Sequence, residues 1–205
     1  DDEQTDYLNC VIFSGELLLD IVNDILDFSK IEAGKLVLEE NDTNIKEMLK
    51  KTFHLIMLEK NRNKLQYELK IDERIPNLVK TDPLRFNQVI TNLLSNALKF
   101  TENGCVLLQA ELLNLSNSKA TIRFSVKDTG IGITEDQREN IFDMFTQADS
   151  STTRKYGGTG LGLPITVKIL EQMGSKIQLK TEPSQGSTFS FICDFKVSVS
   201  EGKTH

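Results

Sequence analysis

The sequence has 205 residues, of which 39% are hydrophobic and 26% charged, and its formal net charge is −6. This is the composition of an ordinary globular domain, and it excludes wholesale disorder. No apolar run approaches the ~20 residues of a membrane span, no basic cluster marks a nucleic-acid site, and three distant cysteines argue against a disulfide framework or a zinc site.

The chain begins with a segment that predicts one long amphipathic helix over residues 5–31. Apolar residues recur there at steps of three and four from Leu8 to Phe28, and Ala33-Gly34 is a typical helix end. The first 39 residues hold ten acidic and two basic side chains, a net charge of −8. A stripe of this length favours coiled-coil or bundle packing with partner helices. The alternative is docking on the chain's own globular domain.

The remaining elements follow from alternation for strands and three-to-four-residue spacing for helices. Two helix starts are marked by caps: Asp82-Pro83 as N-cap and first helical position, and Thr134 with Gln137 as a capping box. Strands are predicted over 35–40, 64–71, 79–80, 105–113, 120–127, 176–181 and 186–194, and helices over 44–59, 82–100, 134–145 and 160–173. We therefore predict an α+β fold, a two-layer α/β sandwich, with a polar, mobile loop over 147–158.

The helix predicted over 82–100 places three polar residues on one face. Asn92, Asn96 and Lys99 are spaced at i, i+4 and i+7, while the opposite face is apolar. Amide oxygens suit Mg²⁺, which keeps most of its waters, and an ammonium suits phosphate. The alternative is a solvated polar stripe.

A second motif follows the strand predicted over 120–127. Asp128 stands at the strand end, and Gly130 and Gly132 follow it. A carboxylate there could accept a hydrogen bond from an exocyclic amine such as adenine N6, and the glycines would let the backbone approach a flat ring. A plain Asp-Thr-Gly turn is the alternative.

A third motif, residues 156–163, places glycines directly before an apolar helix. Gly157, Gly158, Gly160 and Gly162 lie within six residues, and backbone N–H groups at a helix N-terminus bind phosphate. The segment is neither a Walker sequence nor a GxGxxG fingerprint.

Taken in order, these motifs resemble those of the sensor histidine kinases. Residues 92–101 resemble the N box, 128–132 the first glycine box, 142–145 the F box, 158–163 the second glycine box and 186–189 the motif on the last strand. Residues 20–36 resemble the second helix of the dimerisation and phosphoacceptor domain, in the style of hybrid kinases. The resemblance thus divides the chain into that helix (1–34), an ATP-binding catalytic domain (35–197) and a C-terminal tail (198–205).

The resemblance implies a GHKL-type (Bergerat) ATP-binding fold whose cofactors are ATP and Mg²⁺. By matching position, Asn96 would bind Mg²⁺, Lys99 would contact phosphate, and Asp128 would bind adenine with Thr188 supporting it through a water. Residues 146–157 would form a lid, and Arg154 or Lys155 would reach the terminal phosphate. The predicted catalytic residues are Asn92, Asn96 and Lys99. The predicted nucleotide-binding residues, beside Asn96 and Lys99, are Asp128, Gly130, Gly132, Ile133, Phe145, Arg154, Lys155, Tyr156, Gly158, Thr159, Gly160, Leu161, Gly162 and Thr188.

Two departures bear on the reaction. The GHKL ATPases, such as DNA gyrase, carry a water-activating glutamate four residues before the metal-binding asparagine, but Asn92 occupies that position here. An amide is a poor base, which favours phosphoryl transfer over hydrolysis. Neither His54 nor His205 lies in an acceptor motif, so we expect the accepting histidine outside this sequence.

The prediction is therefore a protein-histidine kinase catalytic domain that transfers the γ-phosphoryl group of Mg-ATP. The expected partners are a second copy through the N-terminal helix, a histidine-bearing dimerisation helix and a response-regulator receiver domain. Nucleic acid and membrane contact by this segment are not expected. The location would be the cytoplasm, or the cytoplasmic portion of a membrane-bound sensor. A GHKL-type ATPase and a non-catalytic nucleotide-binding signalling module are the alternatives.

Overall fold

A computed structural model describes residues 2–59, 65–143 and 160–198, and the statements below concern that part of the chain. Its helices and strands follow one another along the sequence in nearly the predicted order. They are α1 (Asp2–Glu32), β1 (Asn41–Thr43), α2 (Ile45–Glu59), β2 (Leu65–Ile71), β3 (Val79–Thr81), α3 (Pro83–Phe100), β4 (Gly104–Leu115), β5 (Lys119–Asp128), α4 (Glu135–Asn140), α5 (Gly162–Gln172), β6 (Gln178–Glu182) and β7 (Gly186–Val197).

The strands form one open, mixed sheet in the order β1-β3-β7-β5-β4-β2, and β6 pairs with the beginning of β7. Strands β2 and β4 are parallel, and the other pairs are antiparallel. Helices α2, α3 and α5 contribute buried apolar side chains to a core on one face of this sheet. The predicted two-layer α/β sandwich is therefore confirmed.

Aromatic side chains form the centre of the core between α3 and the sheet. The ring of Phe86 on α3 meets the rings of Phe124, Phe191 and Phe195 edge-on, with centroids 4.9, 6.1 and 5.8 Å away. The opposite face of the sheet is polar and carries exposed ion pairs such as Lys119–Asp194 at 2.8 Å and Arg123–Glu111 at 3.2 Å. The described helices that close the core therefore lie on the side of the sheet that carries the aromatic rings.

Two predicted elements were wrong. Residues 35–40 form no strand: Leu36 is buried and Val37 exposed, so the alternation is real, but the segment joins no ladder and β1 begins at Asn41. The helix predicted over 134–145 ends at Asn140. Its capping box is present, but none of its side chains is buried, so no packing extends it.

The N-terminal helix α1 ends as its sequence predicted. Gly34 has a φ of +64°, and the N–H groups of Gly34 and Lys35 donate to the carbonyls of Ile31 and Lys30 at 2.9 and 2.8 Å. This is the Schellman arrangement, for which a left-handed glycine is the usual residue.

The last turns of α1 contact the globular domain. Ile31 is buried there, and the Asp27 carboxylate on α1 accepts hydrogen bonds from Arg85 at 2.5 Å and Gln88 at 3.0 Å on α3. Most of the apolar stripe remains exposed: Leu8, Val11, Ile12, Leu18, Leu19, Val22, Ile25 and Leu26. Docking of the whole stripe on its own domain, the alternative interpretation of the sequence, is therefore wrong. Among the described helices, none has both the length and the apolar character needed to cross a membrane.

Candidate nucleotide-binding site

Helix α3 is anchored at its start and along its apolar face. At its start, Asp82 Oδ1 accepts the N–H of Arg85 at 3.0 Å, as an N-cap does. The Oδ2 atom of the same carboxylate accepts the N–H of Glu39 at 3.1 Å, which ties the preceding linker to the helix. At the other end, the Lys99 Nζ lies 5.0 Å from the ring centroid of Phe100. Between these ends the apolar face of α3 is fully buried, so its rotation about its axis is set.

That rotation leaves Asn92 and Asn96 half-buried at the junction with α5. The Asn92 Nδ2 donates a hydrogen bond to the Thr166 Oγ1 of α5 at 2.8 Å, and the Asn92 Oδ1 accepts one from the Asn96 Nδ2 at 3.4 Å. The nitrogen of the Asn96 amide therefore faces Asn92, and its carbonyl oxygen is turned away. The hydrogen bond to Asn92 therefore holds the nitrogen of the Asn96 amide and leaves its carbonyl oxygen, the predicted metal ligand, pointing away from Asn92.

Asp128 is the last residue of β5 and is only 5% exposed. Its Oδ1 accepts the N–H groups of Gly130 at 2.9 Å and Ser187 at 3.2 Å. Burial raises the pKa of this carboxyl above its ordinary value, and the two backbone hydrogen bonds offset part of that rise. Its Oδ2 makes no hydrogen bond to another described residue, so one acceptor atom is oriented and available.

The residue opposite Asp128 on β7 is Ser187, which was not among the predicted nucleotide-binding residues. Thr188 pairs with Lys127 in the antiparallel register, so its side chain lies on the polar face of the sheet, away from Asp128. Thr188 was predicted to support the adenine contact, but the register brings Ser187 to that place. The Ser187 hydroxyl lies 3.0 Å from the Thr181 Oγ1. The alternation of β7 in the sequence could have identified Ser187, because Phe189 and Phe191 lie on the buried face of the strand and Ser187 lies on the same face.

The glycines after Asp128 are required by the fold's own packing. A Cβ on Gly130 would lie 2.2 Å from the backbone oxygen of Phe100, at the end of α3. Gly132 has a φ of +67°, and its Cβ would lie 2.1 Å from the Glu182 oxygen. Ile133, predicted to contact the nucleotide, is half-buried against the core, and its N–H donates to the Thr181 Oγ1 at 2.9 Å. Gly130 and Gly132 therefore let the end of β5 pack closely against α3 and against the β6–β7 turn. This packing explains both glycines without the predicted approach of the backbone to an adenine ring.

The second glycine motif is described only from residue 160 onward. Gly160 has a φ of +70°, Leu161 is buried, and Gly162 begins α5. A Cβ on Gly162 would lie 2.3 Å from the Asn92 Oδ1. The remaining predicted residues of the lid and phosphate site lie outside the described residues: Phe145, Arg154, Lys155, Tyr156, Gly158 and Thr159.

Helix α3 thus joins the three sequence motifs. Its middle carries the two amides, Gly162 of α5 lies against Asn92, and the end of α3 accepts the N–H of Ile131 at 3.2 Å through the Phe100 carbonyl. Amides, a buried carboxylate and a helix N-terminus are suited to a metal, an amine and phosphates respectively. This set of groups, carried by α3, β5 and α5 of an open α/β sandwich, is typical of the class of ATP-binding domains to which the order of the sequence motifs pointed.

Comparison with known proteins gives the same assignment. Residues 81–197, more than half of the chain, match the family described as "Histidine kinase-, DNA gyrase B-, and HSP90-like ATPase". The chain belongs to this family. Its similarity to histidine kinases extends beyond the matched segment to nearly the whole sequence.

Among curated proteins, the chain is 45% identical over 188 residues to the signal transduction histidine-protein kinase BarA of Escherichia coli, covering 92% of this chain and 20% of BarA. It is 42% identical over 186 residues to the sensor protein GacS of Pseudomonas syringae, covering 91% of this chain and 20% of GacS. The chain therefore spans about a fifth of the length of the curated relatives it matches.

Solved structures of histidine kinases share the fold. Full-length ShkA in complex with AMPPNP has a TM-score of 0.80 at 31% identity, covering 97% of this chain and 40% of ShkA. The catalytic domain of ThkA has a TM-score of 0.62 at 28% identity, covering 78% of this chain and 96% of that domain. The chain therefore contains an ATP-binding catalytic domain of the histidine-kinase type.

Proposed function

We propose that this chain is the ATP-binding catalytic portion of a sensor histidine kinase, which binds Mg-ATP and transfers the γ-phosphoryl group to a histidine outside this sequence. The observation that favours a kinase over an ATPase is the identity of the side chain four residues before Asn96. Asn92 there is an amide hydrogen-bonded to Thr166, and an amide cannot take a proton from an attacking water at ordinary pH. At the position where the GHKL ATPases carry their glutamate, the described structure therefore offers no base for hydrolysis.

A magnesium ion suits the donor atoms that the described residues offer. Within those residues no cluster of three or more His, Cys, Asp or Glu side chains could hold a metal, so the metal that fits is one held mostly by water and phosphate. Mg²⁺ has this preference, and the outward-facing amide oxygen of Asn96 is a suitable single protein ligand. When bound, the ion neutralises charge on the phosphates as the phosphoryl group is transferred.

Asp128 gives the site a means to distinguish adenine from guanine. Its Oδ2 would accept the N6 amine of adenine, while guanine presents a carbonyl oxygen at the equivalent position. Two acceptors facing each other repel, so the proposal includes discrimination against GTP.

The partners are also proposals. The exposed stripe of α1, from Leu8 to Leu26, supports dimerisation through this helix and pairing with a histidine-bearing helix. ThkA has been crystallised in complex with the response regulator protein TrrA. The chain is 28% identical in sequence to ThkA in that complex, with a TM-score of 0.66. We propose a receiver domain as the onward partner of this chain.

Phosphoryl transfer in trans tests the function. The chain would be incubated with ATP labelled at the γ-phosphate and with a separately produced dimerisation helix that carries a histidine. We expect label on that helix and little hydrolysis in its absence. Asn96→Ala should abolish transfer, and Asn114→Ala, at an exposed position of β4, serves as the matched control. Rapid hydrolysis without transfer would favour an ATPase, and nucleotide binding without either reaction would favour a signalling module.

A further inference from the structure

Thr166 is a buried residue of α5 that none of the sequence motifs includes. It is 1% exposed and lies one helical turn after Gly162, so both residues share the face of α5 that meets α3. Gly162 leaves room for the Asn92 amide, and Thr166 accepts its hydrogen bond at 2.8 Å. Asn92 is therefore held between two consecutive turns of α5.

The hydrogen bonds continue from α5 to the predicted metal ligand. Thr166 Oγ1 accepts from Asn92 Nδ2, and Asn92 Oδ1 accepts from Asn96 Nδ2 at 3.4 Å. An asparagine amide in water rotates freely, and hydrogen bonds to its nitrogen and oxygen decide which atom points where. Without the Thr166 hydroxyl, the Asn92 amide would lose the partner of its nitrogen, and a half-buried amide in that state turns to find another.

We propose that Thr166 is a positioning residue: through Asn92, it holds the Asn96 amide with its carbonyl oxygen directed at the nucleotide-bound metal. The inference rests on the proposed function, in which Asn96 binds Mg²⁺. It adds that the helix following the second glycine motif sets the geometry of the metal ligand. Removing a direct hydrogen-bond partner of a metal ligand commonly lowers metal affinity about tenfold or more, and Thr166 stands one hydrogen bond further from the ligand, so its removal should have a smaller effect.

The test separates metal-dependent from metal-independent nucleotide binding. ADP affinity would be measured by calorimetry for the whole chain, with MgCl₂ and again with EDTA. Thr166→Val keeps the shape and removes the hydroxyl. For Thr166→Val we expect about a three- to tenfold loss of ADP affinity with Mg²⁺ and no change with EDTA. We expect Thr166→Ser to keep the wild-type ratio of the affinity with Mg²⁺ to the affinity with EDTA. Thr166→Ala gives the same prediction should the valine variant fold poorly.

Thr52→Val is the matched control. Thr52 is also a buried threonine, and its hydroxyl donates to Asn87 Oδ1 on the same helix α3, but it does not contact Asn92 or Asn96. It should leave the ratio of the two affinities unchanged.

The possible failures are distinguishable. If Asn96→Ala removes the Mg²⁺ effect and Thr166→Val retains it, the positioning role is overturned and the proposed function stands. An equal loss with and without Mg²⁺ also overturns it, because a structural disturbance of α5 would act on both. If the wild-type chain itself shows no Mg²⁺ effect, the metal site and the inference fail together.

Discussion

Replacing Asp128 by asparagine is the most direct test of how the site recognises adenine. The Oδ1 atom of this carboxylate accepts two backbone N–H groups, from Gly130 and Ser187. In Asp128→Asn the amide oxygen must occupy that place, because the amide nitrogen would otherwise face two donors. The amide nitrogen is then directed at the nucleotide. The Oδ2 atom that would accept the N6 amine of adenine is thereby replaced by an N–H donor, and two donors facing each other repel.

The size of the effect follows from the hydrogen bond that is lost. A hydrogen bond to a charged group contributes about 1.5–3 kcal/mol, and about 1.4 kcal/mol corresponds to a tenfold change in affinity. We therefore expect ATP to bind about ten- to a hundredfold more weakly. GTP should lose less or gain, because the new N–H donor of Asp128→Asn suits the O6 atom of guanine.

The assay is calorimetric titration of ATP and GTP into both proteins, with thermal unfolding in the absence of nucleotide as the check on folding. Because burial raises the pKa of Asp128, its charge is disfavoured in the folded state, and the variant should unfold at a similar or higher temperature at neutral pH. ATP affinity of the wild-type chain should also fall as the pH is lowered through this raised pKa, while the variant stays constant. Equal binding of ATP and GTP by the wild-type chain, or an unchanged preference in the variant, would refute the assignment.

Three further predictions concern the packing around the site and the N-terminal helix. Gly162→Ala should weaken binding of Mg-ADP in calorimetry, because its Cβ would lie 2.3 Å from the Asn92 Oδ1 and displace that amide. Asp27→Asn should lower the free energy of unfolding in urea by about 1 kcal/mol at pH 7. Burial opposes ionisation of Asp27, but its hydrogen bonds to Arg85 and Gln88 hold its pKa below the ordinary value of an aspartate. The difference in unfolding free energy between Asp27→Asn and the wild type should therefore shrink as the pH falls below that ordinary value. Self-association in sedimentation should strengthen with added salt, which screens the net charge of −8 on the first 39 residues, and removal of residues 1–20 should weaken it.

The sequence by itself determined the elements whose signals are local. Asp82 and Pro83 mark the start of α3, and the apolar spacing after them fixes which face is buried and therefore that Asn92 and Asn96 share the other. Gly34 ends α1 as its left-handed conformation permits. These signals are local because capping, turn geometry and helical periodicity depend on residues within one or two turns. The order of the motifs was likewise sufficient to predict the family.

Tertiary structure decided every feature that depends on how distant segments meet. Whether residues 35–40 join a sheet depends on a partner strand, and alternation reports only which side of the segment is buried. The choice between Ser187 and Thr188 depends on the register of β7 against β5, since a shift of one residue moves a side chain to the other face. The contact of Thr166 with Asn92 joins residues 74 positions apart. Such contacts are set by the packing of complete helices and strands, and a short stretch of sequence carries no information about its partner across the core.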